Sequence, residues 1–213
     1  MEALYTKEIA IYCDTYTKPE SSMLIALKED TYKSAHGSVM LSEKITAKFL
    51  QFCIQMSQAK MVLDVGTYTG YSALAMAEVV GESGMVYTID RTVQPSIKIA
   101  KEHFEKCGKM NRLKLILGDA DEVIPKINEV FDLVFIDADK MSSQVYYELV
   151  VPKLKSGGVI IIDDCLWRKQ VVQPEEDKRA HAMHRLNNRV LQDERVDNII
   201  LPIRHGINLI RVL

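Results

Sequence analysis

The 213-residue chain is short of cysteine, tryptophan and glycine, and short of any excess of one charge, with 4 Cys, 1 Trp, 10 Gly and a formal net charge of -2. Each shortage excludes something. Cys13, Cys53, Cys107 and Cys165 are scattered without a Cys-x-x-Cys pair, so no disulfide framework or cysteine metal knuckle is indicated, and they read as buried small hydrophobes. His36, His103, His181, His184 and His205 form no ligand-spaced set with them. The near-neutral balance argues against a generic basic nucleic-acid binder, and nucleic acid stays only as a minor alternative partner. No apolar run approaches the ~20 residues that span a bilayer, and Met1-Glu2-Ala3-Leu4-Tyr5-Thr6-Lys7-Glu8 has no apolar core of signal-peptide length. The expectation is a cytoplasmic protein with no membrane partner.

What the chain does have is alternation. After helical stretches at 5–16, at 21–29 and from Ser42 as N-cap through Ile45, Phe49, Leu50, Phe52, Cys53 and Met56, the texture changes. Strands at 61–65, 85–90 and 113–117 alternate with helices at 71–80, 96–107 and 121–128. An apolar strand then ends at Asp137, a helix over 142–154 is stopped by Gly157-Gly158, and a second apolar strand ends at Asp163-Asp164. Two runs, 197–202 and 207–212, flank Ile203-Arg204-His205-Gly206 and read as a hairpin added to one sheet edge. This pattern predicts a single α/β domain over 1–213, a Rossmann-like doubly wound sheet, mostly parallel with a C-terminal antiparallel hairpin. Residues 1–58 form its helical N-terminal extension and 59–213 its core.

Ligands in such sheets bind outside the carboxyl ends of the strands. Asp137, Asp163 and Asp164 stand at two such ends and together suit a hard divalent cation. Asp64-Val65-Gly66-Thr67-Tyr68-Thr69-Gly70-Tyr71-Ser72 is the turn from first strand to helix, where glycine lets backbone approach a ligand. Its Gly-x-x-x-Gly spacing lacks the third glycine of pyrophosphate-binding turns, which argues against an NAD-dependent oxidoreductase. Asp90, twenty residues past Gly70, is placed to take both ribose hydroxyls, and Asp119 to reach an adenine amino group. Asp90, Asp119 and Asp137 are expected to line one crevice for an adenosine ligand without a diphosphate.

The glycine turn, Phe135-Ile136-Asp137-Ala138-Asp139-Lys140 and Asp163-Asp164-Cys165-Leu166-Trp167 resemble the cation-dependent class I O-methyltransferases, the catechol and caffeoyl-CoA enzymes and their small bacterial members. The resemblance runs from about Met40 to the C-terminus. It implies S-adenosylmethionine over Gly66, Thr67 and Ser72, with Asp64 near its amino-acid end, Asp90 on the ribose, and Asp119 and Ala120 bordering the adenine. Ser42, Asp137 and Asp139 match further cofactor contacts, and Asp139 also reads as the N-cap of the next helix. The resemblance makes Asp137, Asp163 and Asp164 the metal ligands, with Mg²⁺ first and Ca²⁺ or Mn²⁺ as alternatives. It makes Lys140 the general base, Trp167 and Arg168 walls of the acceptor pocket, and Asn187 a contact to substrate or to its water. A homodimer is implied by analogy.

Two departures from the family pattern stand out. Asp164 replaces the usual Asn, and Arg168-Lys169-Gln170 replaces a small or basic residue followed by Gly. The expected activity is methyl transfer to a hydroxyl of a small catechol-like or caffeoyl-type acceptor. The alternatives are methylation of a hydroxylated uridine in transfer RNA, or cofactor binding without turnover.

Overall fold

The structure, a computed structural model, describes residues 6–34, 41, 43–91, 95–108 and 110–213. Strands Met61–Val65 (β1), Met85–Asp90 (β2), Leu113–Leu117 (β3), Phe131–Ile136 (β4), Leu154–Asp163 (β5), Val196–Leu201 (β6) and Ile207–Val212 (β7) form one sheet in the order β3-β2-β1-β4-β5-β7-β6. The first five are parallel; β7 runs antiparallel to β5, and β6 to β7. The doubly wound sheet with its closing hairpin is therefore as the alternation predicts.

Side chains alternate across a strand, and that period sorts the core into two layers. Val62, Leu133, Phe135 and Ile161 point to one face, where they meet helices Ser22–Ser34 (α2, after Lys7–Tyr16, α1), Lys44–Ser57 (α3), Tyr71–Ala77 (α4) and Pro95–Lys106 (α5). Leu63, Val65, Val134, Ile136, Ile160 and Ile162 point to the other, against Ala120–Val123 (α6), Ser143–Val150 (α7) and Lys178–Leu191 (α8). Burying both faces explains why the central strands are unbroken apolar runs.

The helical extension is bolted to the core. On α2, Thr31 Oγ1 hydrogen-bonds Thr69 Oγ1 at 3.0 Å, inside the glycine turn. Just before α2, Glu20 accepts from the Tyr71 hydroxyl and Ser21 donates to Glu78, so both ends of α4 are held.

Three expectations change. Gly157-Gly158 do not stop a helix: α7 ends at Val150, a 3₁₀ turn with Pro152 follows, and the glycines lie inside β5. There they absorb a slip in register, since Phe131 pairs with Leu154 but Leu133 with Val159, and Gly157 takes φ +80°. Of the cysteines only Cys165 is buried; Cys13 is exposed, and Cys53 and Cys107 are half-buried. Ser42 lies outside the described residues, and α3 starts from Glu43 without a side-chain cap. Among the described residues no helix is long and apolar enough to cross a membrane.

Candidate active site

At the carboxyl ends of β2, β1, β4 and β5 lies a cavity of about 480 Å³. Its floor depends on one glycine. Gly66 has φ +116°, and a Cβ there would lie 2.2 Å from the main-chain oxygen of Asp137. Only a residue without a side chain lets the turn after β1 close against the end of β4. The turn is fixed by Gly66 N–H and Thr67 N–H donating to Ile89 O, at 3.0 and 3.1 Å.

On the β1–β2 side the cavity is lined by Gly66, Thr67, Tyr68, Ser72 and Asp90. The Asp90 carboxylate accepts from the Tyr68 and Arg91 main-chain N–H groups, at 2.6 and 2.7 Å, which fixes its orientation toward a ligand's hydroxyls. Asp64 does not line the cavity. It is fully buried beneath the turn, accepting from Ser72 Oγ at 3.2 Å and Thr88 Oγ1 at 2.7 Å, and burial pushes its carboxyl up to about 8. Ala120 borders the cavity, but Asp119 does not; its side chain is 59% exposed and lies 3.8 Å from Arg91. The expected crevice of three strand-end acids thus holds Asp90 and Asp137 without Asp119, whose main chain starts α6 while its side chain turns to solvent.

The acidic end gathers Asp137, Asp163 and Asp164 around Lys140. Nζ of Lys140 lies 2.7 Å from Asp137 Oδ1 and 3.4 Å from both Asp164 Oδ2 and the Asp163 carbonyl. Burial alone would lower the lysine pKa, but the three carboxylates outweigh it and hold the ammonium charged. Asp163 is turned away from Lys140, toward Arg204 Nη1 at 3.7 Å and the Asp164 N–H at 2.8 Å. Burial and its two acidic neighbours raise its pKa. In kind these hard oxygen donors fit a divalent cation, and a cationic group already stands among them. In placement, no three His, Cys, Asp or Glu side chains among the described residues form a ligand cluster. Asp139 also lines the cavity; it is not the N-cap of α7, a position that Ser142 takes, and its carboxylate accepts from Ser142 Oγ at 2.9 Å.

Past β5 the backbone is strained. Asp164, Trp167, Arg168 and Lys169 all have positive φ, +59°, +36°, +55° and +69°, although none is glycine. Such conformations cost on the order of 1 kcal/mol or more each and gather at functional sites. The segment is tied to the β6–β7 turn by Cys165 N–H to Gly206 O (3.0 Å) and Leu166 N–H to His205 O (2.9 Å). Trp167 and Arg168 line the cavity as expected; Asn187 does not. Its amide donates to Cys165 O at 2.8 Å, so it props the loop from behind.

Lining residues that the sequence does not single out for the site include Tyr146, Arg204 and His205. The last two occupy the hairpin turn, where two basic side chains beside glycine were the available signal. Arg204 spans from Asp163 to Glu43, 3.3 Å from Nε, and so offsets part of the charge that Asp164 adds. His205 buries Nδ1 without a hydrogen-bond partner among the described residues, and burial lowers its pKa.

A family model described as O-methyltransferase matches residues 14–213. Among similar proteins, the catechol O-methyltransferase domain-containing protein 1 of Mus musculus is 32% identical, covering 89% of this chain and 74% of its own. The probable caffeoyl-CoA O-methyltransferase 2 of Dictyostelium discoideum is 29% identical, over 97% and 92%. The SAH-bound methyltransferase PaMTH1 of Podospora anserina shares the fold, with a TM-score of 0.91, 23% identity and 100% and 99% coverage.

Proposed function

This chain belongs to the O-methyltransferase family, and on that premise we propose that it transfers the methyl group of S-adenosylmethionine to a hydroxyl of a small catechol-like or caffeoyl-type acceptor, assisted by a divalent cation. The observation that carries this reading is the meeting of Asp137, Asp164 and Lys140 in the cavity that the glycine turn also lines.

The residues divide the work by strand. Gly66, Thr67, Ser72, Asp90, Ala120 and Asp139 would hold S-adenosylmethionine, which supplies a methyl group open to direct displacement by an oxyanion. From β2 to β5 is three strand spacings, roughly 14 Å, enough to separate an adenosine end from a reacting end. Asp137, Asp163 and Asp164 would hold Mg²⁺, or Ca²⁺ or Mn²⁺, and the cation's chemistry is to lower the pKa of an acceptor hydroxyl from its ordinary ~10 and to orient it. Lys140 is positioned to take the hydroxyl proton once the carboxylates no longer stabilise its ammonium form. Trp167 and the buried Leu41 give the cavity an apolar wall.

Two further assignments complete the proposal. The protein acts as a homodimer: α1 buries none of its residues, and its exposed Ile9, Tyr12 and Tyr16, with Phe52 and Met56 of α3, are an apolar face that a second copy would cover. Four free cysteines suit the reducing cytoplasm. The test is a methyl-transfer screen over catechols, caffeoyl thioesters and hydroxyuridine-bearing RNA, each with Mg²⁺ and with EDTA. Turnover of a diphenol that EDTA abolishes is expected. Turnover of RNA alone, or diphenol turnover indifferent to EDTA, would overturn the acceptor or the cation.

A further inference from the structure

We propose that the acceptor bears a carboxylate and that Arg168 and Arg179 bind it beside Trp167. This rests on the methyl-transfer reading above and narrows its substrate class to dihydroxy aromatic acids. The two guanidinium carbons lie 5.2 and 5.6 Å from the centre of the Trp167 ring, and all three side chains line the cavity. Other arginines are matched to acids: Arg189 and Arg195 to Glu148 and Asp193, and Arg204 to Asp163 and Glu43. Arg168 and Arg179 make no ion pair within 4 Å among the described residues. Asp177 feels the charge of Arg179 without forming an ion pair with it; its carboxylate caps α8 by accepting from Arg179 N–H (2.7 Å) and Ala180 N–H (3.0 Å), and it takes a hydrogen bond from the Trp167 side chain.

The placement of these groups is built in. Arg168 stands in the middle of three consecutive non-glycine residues at positive φ, and its exposed side chain lines the cavity. Arg179 is held in the first turn of a 14-residue helix. Within the β5–β7 side of the cavity, Asp137, Asp163 and Asp164 disfavour an anionic group next to themselves, and the two guanidinium groups beside Trp167 attract it, where a planar fork matches carboxylate geometry. A molecule with hydroxyls on one side of a ring and a carboxylate on the other enters in a single orientation.

The experiment compares 3,4-dihydroxybenzoate with its uncharged amide, using the wild type, Arg168→Gln, Arg179→Gln and the double variant. A charge-assisted hydrogen bond implies a preference for the acid of at least about tenfold in kcat/KM, mostly in KM. Each single variant should lower that ratio, and the double variant should bring acid and amide within about twofold. Equal use of both by the wild type, or a preference that survives in the double variant, would overturn the proposal. Turnover of the amide by the wild type keeps the methyl-transfer reading intact in either case. If neither compound is methylated, the methyl-transfer reading is judged by the acceptor screen above, and the clamp by the fluorescence of Trp167, the sole tryptophan, with S-adenosylhomocysteine present. A response to the acid but not the amide, lost in the double variant, supports the clamp; equal or absent responses refute it.

Discussion

The two ends of the cavity solve the same problem, holding a polar ligand at a sheet rim, by opposite means. The β1–β2 end draws mainly on one short stretch, residues 65–72, plus Asp90, and takes positive φ at Gly66 and Gly70 as well as at Tyr68 (+49°). Its buried polar groups are mutually hydrogen-bonded, as Asp64 is with Ser72 and Thr88. The β5–β7 end is assembled from three separated segments, 163–168, Arg179 and 204–205, and forces positive φ on Asp164, Trp167 and Arg168. Recognition of an invariant ligand can be written into one local turn. Recognition of a variable acceptor is put together from loops, each of which can change without disturbing the turn.

Substitutions at each end should therefore separate. Asp137→Ala removes the shortest partner of Lys140 and one proposed cation ligand, so turnover should fall at least a hundredfold while cofactor affinity, measured by calorimetry, stays within about threefold. A comparable loss of cofactor affinity would merge the two ends. Gly66→Ala should do the reverse, since its Cβ would strike the Asp137 carbonyl. It should lower cofactor affinity by about tenfold or more and stability by about 2–4 kcal/mol, read by denaturant melts. A pH dependence concerns Asp64, whose buried carboxyl is pushed up to about 8 from 3.8 ordinarily. Between those values the folded chain binds the extra proton, so its stability declines as pH rises, by at most about 1.4 kcal/mol per unit, and levels off above pH 8. Asp64→Asn removes that slope, and thermal melts from pH 5 to 8 should be flatter than those of the wild type.

Legibility in the sequence follows the same division. Met61–Val65, Met85–Asp90 and Leu113–Leu117 have the bounds that their mainly apolar runs predict, and the polar residues inside them, Asp64, Thr88 and Lys114, do not break the strands. The glycine turn was readable because its chemistry is contiguous. Gly157-Gly158 was misread because a glycine pair ends a helix or relaxes a strand register equally well, and only the pairing of Leu133 with Val159 decides. Asp119 sits at the right strand end, but strand position does not fix where a side chain turns. Asn187 lies near the site in space, yet its amide is committed to the Cys165 carbonyl. Arg204 and His205 come within reach of Asp163 and Asp164 only because the hairpin returns beside β5, about forty residues later in the chain. No local pattern encodes that return.

The central claim is that the acids at the ends of β4 and β5 form a cation site in which the Lys140 ammonium now stands. Titration of Mn²⁺ into the wild type and Lys140→Met, followed by electron paramagnetic resonance with S-adenosylhomocysteine present, tests it most directly. Saturable binding by both proteins, about tenfold or more tighter in Lys140→Met because a competing positive charge is gone, is the predicted result. Absence of saturable binding to either protein, with methyl transfer undiminished in EDTA, would contradict it.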